Sequence, residues 1–281
     1  MKARLLTIFI FALAAPVLAP ISAPVFAQGQ PNSLGVVFHN ISFEVPDYDA
    51  NVDFWTKFGL TQQQPAPQPV TGSGRFAVFH APNSDVAITV QEDKTASGGS
   101  VGTVLDHIGF QVPDVPPAVE KWKAAGLRTE PGARPQQSYV YTPDNVKVEI
   151  LQDATMTVPL KPHHIHFFNA SPLDTQAWYV KMFGAVPGKR GNFDAADAPN
   201  INLTFSKADG ATTPSKGHTL SHIGFGVANV AQFKKDLEAK GVVFDPAMQP
   251  KPGTGPQRIA FFVDPWGTTI ELFQLSAPAN N

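Results

Sequence analysis

The sequence predicts an α+β protein in which one strand, helix and strand-set unit is written four times. Three observations carry this. The stretch "DHIGFQVPDV", Asp106 to Val115, returns as "SHIGFGVANV", Ser221 to Val230, and "HNISFEVPD" and "HHIHFFNAS" open two further segments of the same kind; repetition at a long period means repeated structure. All four openings alternate with the period of a strand. Each is then followed by a helix-like stretch that reaches glycine at or near its end.

The openings come first in each unit. Ile41, Phe43 and Val45 fall on one face, as do Ile108, Phe110 and Val112, then Ile165 and Phe167, then Ile223, Phe225 and Val227; successive strand side chains point to opposite faces, so this apolar set must pack on helices. The other face reads Asn40, Ser42, Glu44; His107, Gly109, Gln111; His164, His166, Phe168; and His222, Gly224, Gly226. It is polar or small, as a cavity lining would be. The alternation sends His163 into the opposite, helical layer. The helices are expected in "YDANVDFWTKFGL", "VPPAVEKWKAAGL", "SPLDTQAWYVKMFGA" and "NVAQFKKDLEAKGV", with Gly59, Gly126, Gly184 and Gly241 supplying left-handed C-caps. The closing strands are "SDVAITVQED", "DNVKVEILQD", "APNINLTFSKAD" and "WGTTIELFQL". Aligned by their ends, they place Thr89, Glu149, Thr204 and Glu271 at one equivalent position.

Composition narrows the function classes. The 281 residues include no cysteine, so disulfides, thiolate metal sites and cysteine nucleophiles are excluded, and any metal must rest on His, Asp or Glu. The formal net charge is −2, and no basic run suggests nucleic acid. Residues 1–27 pair Lys2 and Arg4 with an apolar run and small residues ending at Ala27, the pattern of a secretory signal cleaved after Ala27. The run is too short for a permanent anchor, so a secreted or periplasmic protein with no membrane span in its mature form is expected. The chain divides into this signal, a linker at 28–36, a first domain of two units at 37–153, a hinge at 154–162, a second domain at 163–276 and a tail at 277–281. "ASGGSVG" reads as flexible linker, and "MQPKPGTGPQR" and "GKRGNFDAADAPN" as lids, the latter with Phe193 near the opening.

The "HIGFxV" openings, the helix ends "AAGL" and "AKGV", and the close "FFVDPWGTTIEL" resemble the vicinal oxygen chelate superfamily, which includes glyoxalase I, extradiol dioxygenases and bleomycin-resistance proteins. The resemblance implies four βαβββ modules paired into two cup-shaped mixed sheets, with a divalent metal held by first-strand and last-strand positions of both modules in a cup. With consecutive modules paired, the first cup offers Asn40, Thr89, His107 and Glu149, and the second His164, Thr204, His222 and Glu271. Two imidazoles and a carboxylate form a facial triad suited to ferrous iron, manganese, zinc or nickel. The metal is therefore expected on His164, His222 and Glu271, with the first cup weak or empty of metal.

In that second cup His166 and Glu271 are the candidate proton-transfer groups, and Thr204, Arg258 and Phe261 the candidate substrate contacts. Tyr139 is expected to serve cross-strand packing. The resemblance implies a metal-dependent lyase, isomerase or dioxygenase acting on a small substrate that chelates the metal through adjacent oxygens. An extradiol ring-cleaving dioxygenase would carry Tyr where Phe261 stands, which counts against that chemistry. A non-catalytic small-molecule binder of the bleomycin-resistance type is the alternative from a different class.

Overall fold

The computed structural model describes residues 29–65, 74–250 and 258–276. The expected signal, the tail and most of the "MQPKPGTGPQR" segment lie outside them. The four modules run in order. The first has β1 (Val36–Val45), α1 (Tyr48–Phe58), β2 (Thr61–Gln62), β3 (Phe76–His80) and β4 (Ala87–Glu92). The second has β5 (Leu105–Val112), α2 (Val115–Ala124), β6 (Arg128–Pro131), β7 (Gln137–Tyr141) and β8 (Lys147–Gln152). The third has β9 (Lys161–Asn169), α3 (Pro172–Phe183), β10 (Val186–Arg190), β11 (Phe193–Ala198) and β12 (Ile201–Lys207). The fourth has β13 (Leu220–Val227), α4 (Val230–Ala239), β14 (Ile259–Val263) and β15 (Thr269–Gln274). No helix among the described residues is long and apolar enough to cross a membrane.

Helix ends follow local chemistry. The Asp47 and Asn229 side chains accept from the backbone N–H of Ala50 and Gln232, capping α1 and α4. Gly59 and Gly184 take left-handed caps, and Gly126 and Gly241 adopt positive φ just past α2 and α4, as the sequence predicts.

The pairing of modules differs from the expectation. One sheet runs β14-β15-β13-β1-β4-β3-β2 and the other β10-β11-β12-β9-β5-β8-β7-β6. The first module thus joins the fourth through antiparallel β1 and β13, and the second joins the third through antiparallel β5 and β9. Modules adjacent within a sequence half meet instead through their helical layers. Phe58 of α1 stacks on Trp122 of α2 at 4.9 Å between ring centres, the Trp122 indole N–H donates to the Phe58 carbonyl at 2.9 Å, and Phe110 of β5 meets Phe58 edge-on at 5.1 Å. In the other half Phe183 of α3 stacks on Phe225 of β13 at 4.0 Å. These rings belong to one buried core, whose burial, at about 25 cal/mol per Å² of apolar surface, ties the sheets together.

The "ASGGSVG" segment is no free linker. Ser100 is fully buried and its hydroxyl accepts from the Lys147 N–H at 3.2 Å. "GKRGNFDAADAPN" is mostly the β10–β11 hairpin, paired Val186 to Asp197 through Arg190 to Phe193, so this lid is built into a sheet.

Candidate metal centre

Because the sheets cross the sequence halves, the expected set His164, His222 and Glu271 is split. His164 lies in the sheet of modules two and three, and His222 and Glu271 in the other. The triad in one cup is His107, His164 and Glu149, two of them assigned on sequence to the cup expected to lack metal. The alignment of positions itself holds: Thr89, Glu149, Thr204 and Glu271 each sit beside a first strand, opposite Ser42, Gly109, His166 and Gly224.

Two devices aim these side chains. The ladder slips one residue at His39 and Ser221 in one sheet, and at Asp106 and His163 in the other; an extra residue in one strand re-aims side chains locally. Each slipped residue immediately precedes a cup residue and contacts it. Asp106 Oδ1 lies 2.6 Å from His107 Nδ1, His163 Nδ1 2.9 Å from His164 Nδ1, His39 Nδ1 2.8 Å from Asn40 Oδ1, and Ser221 Oγ 2.8 Å from His222 Nδ1. This corrects His163, which the slip turns out of the helical layer and toward its neighbour. The visible signal was a polar residue at a position the alternation assigns to the apolar side. The second device is glycine: a Cβ on Gly109 would fall 1.9 Å from His164 Cε1, and one on Gly224 1.9 Å from Asn40 Oδ1. The glycine of "HIGF" is the floor beneath the facing strand's cup residue.

In the cup of modules two and three, His164 is fully buried and Glu149 is 6% exposed. His164 Nε2 lies 3.0 Å and His107 Nε2 3.5 Å from Glu149 Oε2. Among the described residues neither Glu149 Oε2 nor His164 Nε2 has a well-aligned hydrogen-bond partner, close as the two atoms are. Donors sharing one ion at about 2.1 Å lie about 3.0–3.4 Å apart, so the two imidazole distances to Glu149 are near those a divalent metal needs. Asp106 accepts from His107 Nδ1 and orients the ring with Nε2 toward the cup, as a carboxylate behind a metal-binding imidazole does; Lys147 Nζ, 2.8 Å away, steadies Asp106. His166 completes a buried cluster, with one nitrogen from each of His107, His164 and His166 lying within 4.8 Å of the others. Its Nδ1 is 3.1 Å from His107 Nε2 and its Nε2 2.8 Å from Ser206 Oγ.

Electrostatics favour a neutral His164 and a charged Glu149. Burial lowers His164 to about 3, with Arg190 and His107 adding to the shift and Glu149 opposing it. Burial also lowers His163, to about 4, and His166 further. Burial pushes Glu149 up, but the adjacent His107 and His164 outweigh it and hold the carboxyl well below its ordinary range. Metal ligation needs these protonation states.

Residues around the triad include several that sequence reasoning passed over. Arg190 donates from Nε to Thr204 Oγ1 at 2.7 Å, and its Nη1 is 4.0 Å from Glu149 Oε2. Gln137 donates to Glu149 Oε1 and, at 3.2 Å, to the Tyr139 hydroxyl. Tyr139 pairs with Glu149 across β7 and β8; it faces this cup. Phe193, 43% exposed, stands over His166 at 5.0 Å.

The cup of modules one and four closes on itself. Asn40 Nδ2 donates to Glu271 Oε2 at 2.9 Å and to Ser42 Oγ at 2.7 Å, and Thr89 Oγ1 donates to Ser42 Oγ. His222 Nε2 is 3.5 Å from Glu271 Oε2, but an amide N–H points where a third ligand would be needed. Phe261 pairs with Glu271 and meets His222 edge-on at 5.4 Å. Both line a cavity of about 280 Å³ together with Phe76, Phe273 and Thr89. Thr204 belongs to the other cup, and Arg258 is exposed at the start of β14.

Two stretches, residues 37–150 and 161–272, match the model of the Glyoxalase/Bleomycin resistance protein/Dioxygenase superfamily. The chain belongs to this superfamily. Each matching stretch is one sequence half, and each cup takes one module from each. Glyoxalase I from Zea mays superposes with a TM-score of 0.63 at 19% identity, covering 85% of this chain and 92% of that one. A putative dioxygenase from Bacillus subtilis strain 168 superposes with a TM-score of 0.63 at 15% identity, covering 87% of this chain and 86% of that one. At these identities the likeness shows the shared two-sheet fold. Among curated proteins none matches the chain.

Proposed function

We propose that the protein is a metal-dependent enzyme of the superfamily, with a divalent ion on His107, His164 and Glu149 and a small substrate chelating it through adjacent oxygens. The observation that carries this reading is the pair Glu149 Oε2 and His164 Nε2, buried, 3.0 Å apart and, among the described residues, without a well-aligned hydrogen bond. Leaving two such groups unpaired in a core costs about 1–3 kcal/mol each, a cost that an ion would remove. The bound metal supplies a Lewis acid for the substrate oxygens. His166, beside His107 and Ser206, is the neighbouring side chain placed for a proton-transfer role, as an isomerase or lyase requires.

A specific observation supports ring cleavage as a second reading. The position ten residues before the site's glutamate is Tyr139 in this cup, where the other cup has Phe261. The Tyr and second His that a catechol-cleaving dioxygenase would employ are therefore both beside the triad. Export, from the leader at residues 1–27, is part of the proposal.

Elemental analysis of the gently purified protein tests the site. One divalent ion per chain is expected in the native protein and in His222→Ala, and none in His164→Ala or Glu149→Gln. Full occupancy in His164→Ala would refute the assignment. A metal-free native protein that takes up no added iron, manganese, zinc or nickel would favour the non-catalytic binder. Oxygen consumption with catechol by the iron-loaded protein then separates the second reading from the first.

A further inference from the structure

Arg190 stands beside the three-residue site in a way that site does not itself require. It comes from the end of β10, at the turn of the β10–β11 hairpin, and its guanidinium reaches back over β12 to the ligand cluster. Of its five N–H donors, one makes a short bond, Nε to Thr204 Oγ1 at 2.7 Å. The remaining contacts are long: Nη2 to His166 Nδ1 at 3.4 Å and Nη1 to Glu149 Oε2 at 4.0 Å. Thr204 occupies the position that gives Glu149 and Glu271 in other modules, so where a fourth protein ligand could have stood there is a hydroxyl tied to a guanidinium. Thr204 in turn donates to Asn202 Oδ1 at 2.7 Å, which fixes the hydroxyl's direction and leaves it an acceptor for Arg190. The Phe193 ring lies 5.6 Å from the guanidinium carbon.

Arg190 and Asn202 also line a cavity of about 520 Å³, together with Lys161, His163, Lys189 and Asp197. The carboxylates on its wall are engaged: Asp197 accepts from Asn202 Nδ2 at 2.7 Å, and Asp85 from the Gly29 N–H at 2.7 Å. Lys189 is paired with Asp194. Among the cations on that wall, the guanidinium is the one that also reaches the ligand cluster, through His166 Nδ1 and Glu149 Oε2.

We propose that Arg190 selects substrates carrying a carboxylate, one of whose oxygens faces the metal while the group accepts from the guanidinium. This rests on the metal site proposed above. A guanidinium binds a carboxylate through two parallel N–H bonds, and the Arg190 Nη groups are the ones without short partners. The favoured class is a small 2-oxo or 2-hydroxy carboxylate, or a catechol that also bears a carboxylate. A neutral chelator would leave the Nη groups with only their long contacts to His166 and Glu149.

Oxalate and catechol are suitable probes, measured by titration calorimetry on the manganese-loaded protein, with manganese content determined for every variant. Arg190→Gln is expected to keep its manganese and to weaken oxalate binding by about ten- to a hundredfold, the worth of a charge-assisted hydrogen bond, while catechol affinity changes by less than about threefold on the same scale. Arg190→Lys retains the charge without the planar fork and should fall between. Unchanged oxalate affinity in Arg190→Gln with manganese retained overturns the carboxylate assignment alone. Failure of the native protein to take up manganese or any other divalent ion overturns the metal site and this inference with it. An equal loss of oxalate and catechol binding in both variants assigns Arg190 to packing and also overturns it.

Discussion

The two cups are built from the same positions and reach opposite ends. His107 corresponds to His222, Glu149 to Glu271 and Thr204 to Thr89, while His164 corresponds to Asn40, each of these last lying over the glycine of the facing strand. In one cup the carboxylate oxygen and the imidazole nitrogen have no well-aligned hydrogen bond among the described residues. In the other the Asn40 amide donates to the carboxylate and to Ser42, so the polar groups satisfy one another. An imidazole presents a lone pair where an amide presents hydrogens. The two cups thus differ by an imidazole against an amide at one position and by His166 against Ser42 two residues on. The neighbours follow suit: Tyr139 and Asp106 beside the open site correspond to Phe261 and Ser221 beside the closed one.

The comparison can be broken by exchanging that side chain. Asn40→His should give the closed cup two imidazoles and a carboxylate and raise the metal content from one ion per chain to two, read by elemental analysis; Gly224 leaves space for the ring as Gly109 does beneath His164. Content that stays at one would mean the cup's shape, not its donor, forbids metal. A smaller effect is expected from Asp106→Asn, which keeps the size but weakens the hold on His107 Nδ1. Metal affinity should fall by about 10–100-fold, the usual cost of losing a partner behind a metal ligand, whereas Ser221→Ala in the other cup should leave the metal content unchanged; competition with a chelator measures both.

The smallest effect concerns acid stability in the closed cup. Burial pushes Glu271 up, but His222 and the Asn40 amide outweigh it and hold the carboxyl below its ordinary 4.5. A folded value below the unfolded one gives stability that is present above about 4.5 and lost as pH falls through the folded value. Glu271→Gln should therefore be less stable at neutral pH and show a flatter decline below pH 4.5, measured by urea denaturation across that range. A decline as steep as that of the native protein would place the acid sensitivity elsewhere.

Much of the fold was legible along the chain. Alternation in the four openings, the glycine after each helix and the aligned closing strands are local, and local geometry is what period, capping and turn chemistry encode. The polar face with His107, His164, His166 and His222 was legible for the same reason, as was the equivalence of Thr89, Glu149, Thr204 and Glu271. Arg190 was not: it lies in a stretch read as a lid, and its role depends on a hairpin folding back over β12. His163 was misplaced because strict alternation has no room for a residue slipped out of the ladder, though its polarity marked it.

The sequence by itself determined which residues face a cup; the tertiary structure alone decided which of them share one. Side-chain pattern specifies the buried face of a strand. Strand edges, by contrast, pair through backbone N–H and C=O groups that are nearly the same at every residue, so the choice between joining module one to module two or to module four is written in no motif. It is seen only in the folded chain, where the rings of Phe58, Trp122, Phe183 and Phe225 pack between the sheets and the β5–β9 pairing carries His164 to His107 and away from His222.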